Sequence, residues 1–120
     1  MQQKRDIHER IYQYVLVVLE FFRKLPKNQI NLNIINQGGR AITSVGANDQ
    51  EADACQSRRD FISKYAIAKK ELKETLYWIR LAGDINKPLG LEFLDLRQEG
   101  KEILLIISKI IINSRTRKPK

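Results

Sequence analysis

Apolar side chains over the first 25 residues recur in alternating steps of four and three. Ile7, Ile11, Tyr14, Val18, Phe21 and Leu25 fall on one stripe, the spacing of an amphipathic helix that buries one face. Asp6 stands where an N-cap would, with Glu9 three residues on as in a capping box. Pro26 closes the segment, because the residue before a proline is pushed out of the α region. The pattern predicts a helix over 7–25.

The next stretch, "QGGRAITSVGANDQEADA" at 37–54, admits two readings. Its glycines beside an Arg and a Ser/Thr pair could cradle a phosphate, or they could be small positions on a packed helix. A phosphate loop needs its glycines bunched in a turn between a strand and a helix, closed by a Lys. No β-type run precedes these glycines and no Gly-Lys-Ser/Thr follows them. Ile34, Gly38, Ala41, Val45, Asn48 and Ala52 instead repeat the four-three spacing, which predicts a helix over 31–54 with a close-packed face. Each interior Gly costs a helix roughly 1 kcal/mol against Ala, so close packing must offset that loss. Gly38-Gly39 is where a bend or an intersubunit contact is expected.

Ser57 can cap a third helix, with Asp60 in its first turn. Phe61, Tyr65, Ala68, Leu72, Thr75, Ile79 and Ala82 form its seam, and Gly83-Asp84 is expected to end it, giving 58–83. After a turn-rich link, Phe93, Leu96, Gly100, Ile103, Ile107 and Ile110 mark a fourth helix over 91–113. "ILLIISKIII" has more apolar surface than one seam can bury, so the outer side of this helix points to self-association; a central helix buried all round and an edge strand for the β-branched run are the alternatives. Four amphipathic helices with short links and no strand pattern define an all-α fold, a four-helix bundle of one domain, followed by a basic disordered tail over 114–120.

Charge adds a partner to this picture. The formal net charge is +8, which attracts nucleic acid, an acidic protein or a membrane face. The longest apolar runs, YVLVVL and ILLII, are far too short to span a bilayer. With a single cysteine, Cys55, no intrachain disulfide or Cys-based zinc site can form. No signal-type stretch follows the N-terminus, so a soluble, cytoplasmic protein is expected.

Catalytic constellations are not evident. A di-iron bundle needs carboxylates with Glu-x-x-His pairs, yet His8 is the only histidine and is expected at the surface. Cys55 and His8 lie on different elements with no third group to orient them. The sequence therefore points to no enzyme, no metal and no cofactor.

The third helix carries the candidate functional face. Arg59, Ser63, Ala66, Lys70, Lys73, Tyr77 and Arg80 share one stripe beside the core seam, while Arg58, Lys64 and Lys69 lie close by. A row of cations on a rigid rod can follow a phosphate backbone, and Tyr77 offers a ring for a base. The alternative is a solvated face neutralised by Glu71 and Glu74; seven cations against three acids over 58–80 leave that neutralisation incomplete. Arg115, Arg117, Lys118 and Lys120 in the tail extend the set. Asn48 and Glu51 of the second helix, with Glu71, Thr75 and Trp78 of the third, form a polar set expected to link the two helices. A small-ligand pocket among them is the other reading.

"RAITSVGANDQEA" (40–52) and "SRRDFISKYAIAKKELKETLYWIRL" (57–81), with "LPKN" at 25–28, resemble the four-helix-bundle family encoded in intervening sequences of bacterial 23S rRNA genes. The match spans about residues 7–84; the fourth helix agrees in character only. The resemblance implies an up-and-down antiparallel bundle, assembly into a homopentamer, a basic surface for nucleic acid (RNA or DNA), and no known catalysis. The same bundle is similar to the accessory protein of diversity-generating retroelements, which implies a second role, as an interaction subunit for a reverse transcriptase and its template RNA. The sequence departs from the family at Gly38-Gly39, where larger apolar residues are usual, at Asp49, where an aromatic or apolar residue is usual, and at Ala41, where Ser is common.

Overall fold

A computed structural model describes residues 3–87 and 92–116, with side chains from Ile7 onward. Its elements are α1 (Gln3–Arg23), α2 (Gln29–Ala54), α3 (Arg58–Ile85) and α4 (Glu92–Thr116). They form an all-α, up-and-down bundle, elongated to 54 × 26 × 19 Å. In that succession the start of α3 and the end of α4 lie at the same end of the molecule.

The expected stripes are the core. Ile11, Tyr14, Val18 and Phe21 of α1 are buried, with Leu25 just beyond its end, as are Tyr65, Ala68, Leu72, Thr75, Ile79 and Ala82 of α3. On α4 the buried residues are Leu96, Gly100, Ile103, Ile107 and Ile111, so Ile111 takes the place expected for Ile110. On α2 the stripe runs Ile34, Gly38, Ala41, Val45, Asp49 and Ala52. Asp49 therefore occupies the buried position expected for Asn48.

Helix ends explain several boundary differences. Asp6 lies inside α1 rather than at its start. At α2 the side chain of Asn28 accepts from the Asn31 backbone N–H at 2.8 Å, a cap that starts the helix at 29 instead of 31. Ser57 caps α3 as expected, accepting from the Asp60 N–H at 3.0 Å. Gly83 does not stop α3; the helix continues to Ile85 and is capped by Asn86. The basic tail expected from 114 is helical through Thr116, and residues 117–120 lie outside the described residues.

Three glycines seat aromatic rings from a neighbouring helix. A Cβ at Gly38 would run into the Phe22 ring, one at Gly83 into Phe93, and one at Gly100 into the Tyr14 hydroxyl and Leu76. These sockets join α1 to α2, α4 to α3 and α1 to α4. Tyr14 completes the last one by donating to the Leu96 carbonyl at 2.8 Å, and burial pushes its phenol well above the usual tyrosine range. α2 runs unbroken through Gly38-Gly39, and Phe22 accounts for Gly38: the large side chain has moved to α1. Gly39 has space, since a Cβ there would meet only Leu19 Cδ2 at 3.9 Å.

Candidate functional site

The outward stripe of α3 is exposed from end to end: Arg59, Ser63, Ala66, Lys70, Lys73, Tyr77 and Arg80 all face solvent. At 1.5 Å per residue the cations from Arg59 to Arg80 span about 30 Å. Arg58 is also exposed, while Lys64 and Lys69 are half-buried on the flanks. Arg115 is exposed in the last turn of α4; Arg117, Lys118 and Lys120 lie outside the described residues.

Glu71 and Glu74 are both drawn toward α2, whereas Asp60 and Asp84 at the ends of α3 are exposed. Glu71 is buried, and its carboxylate lies 3.3 Å from Arg40 of α2. Glu74 accepts from the same guanidinium at 2.6 Å and from the Trp78 indole N–H at 3.1 Å. Those two hydrogen bonds, the indole first, hold the Glu74 carboxyl below the usual carboxylate range. Among the described residues neither Lys70 nor Lys73 has a carboxylate within ion-pair distance. Lys64 is different: it reaches Glu51 of α2 at 2.8 Å, and that hydrogen bond raises its pKa above the usual lysine value. Arg80 has Asp84 one turn away at 3.9 Å.

The polar set expected to tie α2 to α3 does so only in part. Glu51 and Glu71 cross between the helices, to Lys64 and Arg40. Asn48 instead donates to Ser44 of its own helix at 2.9 Å, and Thr75 donates to the Glu71 carbonyl at 2.9 Å. A hydroxyl one turn after a helical carbonyl finds that partner locally. Trp78 reaches Glu74, also on its own helix. A small cavity of about 240 Å³ lies elsewhere, between α1 and α2, lined mainly by Ile11, Tyr12, Val15, Thr43, Gly46 and Ala47.

Other residues make the deeper ties. Asp49 is fully buried and accepts from the Tyr65 hydroxyl at 2.6 Å. Burial, then the Asp49 hydrogen bond and charge, pushes the Tyr65 phenol well above its usual range. His8, expected at the surface, is half-buried and donates from Nδ1 to Asp49 at 3.0 Å, with Nε2 3.3 Å from Asp53. At the opposite end Asn31 and Asn86 exchange amide hydrogen bonds of 2.7 and 2.9 Å. The sequence signal for Asp49 was present: it continues the three-four spacing from Ile42 and Val45 to Ala52.

Among the described residues no group of three or more His, Cys, Asp or Glu side chains could hold a metal. Cys55 is half-buried at the end of α2. No described helix is long and apolar enough to cross a membrane.

The architecture is that of an all-α helical bundle with an exposed basic face on α3. The description of the 23S rRNA-intervening sequence protein family matches residues 3–109, and the chain belongs to that family. It is also similar to a crystal structure from Bacteroides thetaiotaomicron, a protein with unknown function from the S23 ribosomal protein family. That likeness has 29% identity, a TM-score of 0.81, and covers 90% of this chain and 96% of the other. Curated proteins offer no significant match.

Proposed function

We propose that the protein is a non-catalytic, homo-oligomeric nucleic-acid-binding bundle that lays a phosphate backbone along the outer face of α3. Arg58, Arg59, Lys69, Lys70, Lys73 and Arg80 supply the charge, with Lys64 at the flank and Tyr77 available to a base. The observation that carries this reading is the direction of Glu71 and Glu74. Both are engaged by Arg40 of α2, and among the described residues neither Lys70 nor Lys73 has a carboxylate within ion-pair distance. Up-and-down topology supports a role for the tail, because α4, with Arg115 in its last turn, ends where α3 begins. Self-association is supported by α4, where Leu105 is 68% and Ile112 57% exposed; five copies is the number the family resemblance suggests.

Counter-ion release makes such binding steeply salt-dependent, by about 0.7 to 0.9 log units in affinity per phosphate contact for each tenfold rise in salt. Titrating a labelled RNA at several salt concentrations measures that slope. Lys70→Glu with Lys73→Glu should weaken binding strongly and flatten the slope. Affinity indifferent to salt, or to the paired reversal, would sink the proposal. Binding to a reverse transcriptase that survives the same reversal would favour the accessory-subunit role instead.

A further inference from the structure

Tyr77 interrupts the line of cations, between Lys73 one turn before it and Arg80 one turn after it. Tyr77 is 56% exposed although an apolar or aromatic group in a purely electrostatic track would serve no purpose. The ring meets Trp78 nearly at right angles, with centroids 5.0 Å apart and planes at 73°. An edge-on contact of this kind leaves at least one face of the tyrosine uncovered by Trp78.

Trp78 is itself anchored. Its indole N–H donates to Glu74 at 3.1 Å, and Glu74 is gripped by Arg40 of the neighbouring helix at 2.6 Å. A ring held through two partners on different helices loses little further freedom when a ligand arrives, which lowers the ordering cost of binding. The geometry points to Tyr77 and Trp78 as a prebuilt stacking platform for an unpaired base, with Glu74 and Arg40 as its positioning residues. This rests on the phosphate-binding reading and narrows it to single-stranded RNA or DNA. Lys73 and Arg80 are roughly 10 Å apart along the axis, so phosphates can lie on both while the intervening base turns onto Tyr77. A duplex can use the same cations, but its base faces are stacked on one another and cannot reach the ring.

The test compares three fluorescent probes of equal length on the full chain: a single-stranded oligouridylate, an abasic oligomer with the same phosphates, and an RNA duplex. Stacking on an aromatic side chain predicts roughly 5- to 150-fold tighter binding of the oligouridylate than of the abasic strand. Both single strands carry equal charge, so their affinity ratio is insensitive to changes in protein charge. Tyr77→Leu should bring the ratio to one without weakening the abasic strand, and Tyr77→Phe should restore it. Glu74→Met and Arg40→Met, with helicity checked by circular dichroism, should lower the ratio but leave a residual preference. A wild-type ratio of one, or a ratio that Tyr77→Leu leaves intact, overturns the platform while the phosphate reading stands. No binding to any probe at low salt overturns both.

Discussion

Apart from His8 on Asp49 and Asp53 at one end, α1 and α2 meet by shape, whereas α2 and α3 are tied along their length by polar pairs, and the two seams fail in different ways. Against α1, the α2 surface offers Gly38 as a socket for Phe22 and Gly46 close beneath Val15, where a Cβ would sit 3.2 Å away. Against α3, α2 offers Asn31, Arg40, Asp49 and Glu51, each with a named partner across the seam. A shape seam loses energy continuously as volume changes. A buried polar seam loses it in steps, because removing one partner strands the other. The lesson is that α2, with its costly glycines, is held from both sides by interactions that local helix propensity does not register.

The largest effect should come from emptying the socket. Phe22→Ala is expected to cost about 3 to 5 kcal/mol, and Gly38→Ala about 1 to 3 by overpacking. If the two side chains share one space, Gly38→Ala should cost much less in the Phe22→Ala background; chemical denaturation of the double-mutant cycle reads this directly. Additive costs would show that Phe22 does not occupy the room Gly38 makes.

Next comes the polar seam. Asp49→Ala strands the Tyr65 hydroxyl and should cost about 1 to 3 kcal/mol. Adding Tyr65→Phe should then recover part of the loss, measured as a rise in the thermal midpoint. A double variant less stable than Asp49→Ala alone would refute this account of the pair.

The smallest effect has the opposite sign. Gly39, one residue from the socket, has room for a methyl group, so Gly39→Ala should stabilise by roughly 0.5 to 1 kcal/mol. Adjacent glycines that shift the urea midpoint in opposite directions would separate the packed position from the merely small one. A destabilising Gly39→Ala would mean that Gly39 also meets a surface, such as a second copy of the chain.

These pairs also show where sequence patterns stop informing. The stripes of α1 and α3 and the Ser57 cap were legible because three- and four-residue spacing and a side chain reaching three residues ahead are local facts. Spacing alone allows a step of three from Val45 to Asn48 or a step of four to Asp49, so the stripe through Asn48 misses the buried position. Asp49 is buried only because Tyr65 and His8 come from other helices to satisfy it. Gly83 read as a helix stop, since nothing within α3 announces that Phe93 of α4 will lie over it. On the candidate site, spacing placed the exposed cations and Tyr77 on one stripe. Whether Glu71 and Glu74 would neutralise that stripe depended on Arg40, thirty-odd residues earlier, and so on packing.

The chain holds one tryptophan and one cysteine, and the fold puts them near opposite ends of the basic face. Trp78 stands 21 residues along α3 from Ser57, about 30 Å by helical rise, and Cys55 lies just beyond that cap with its thiol half-buried. An acceptor dye attached to Cys55 would therefore form an energy-transfer pair with the native indole, parallel to the row from Arg59 to Arg80. The protein carries its own optical ruler along the surface most in need of measurement, without a single substitution.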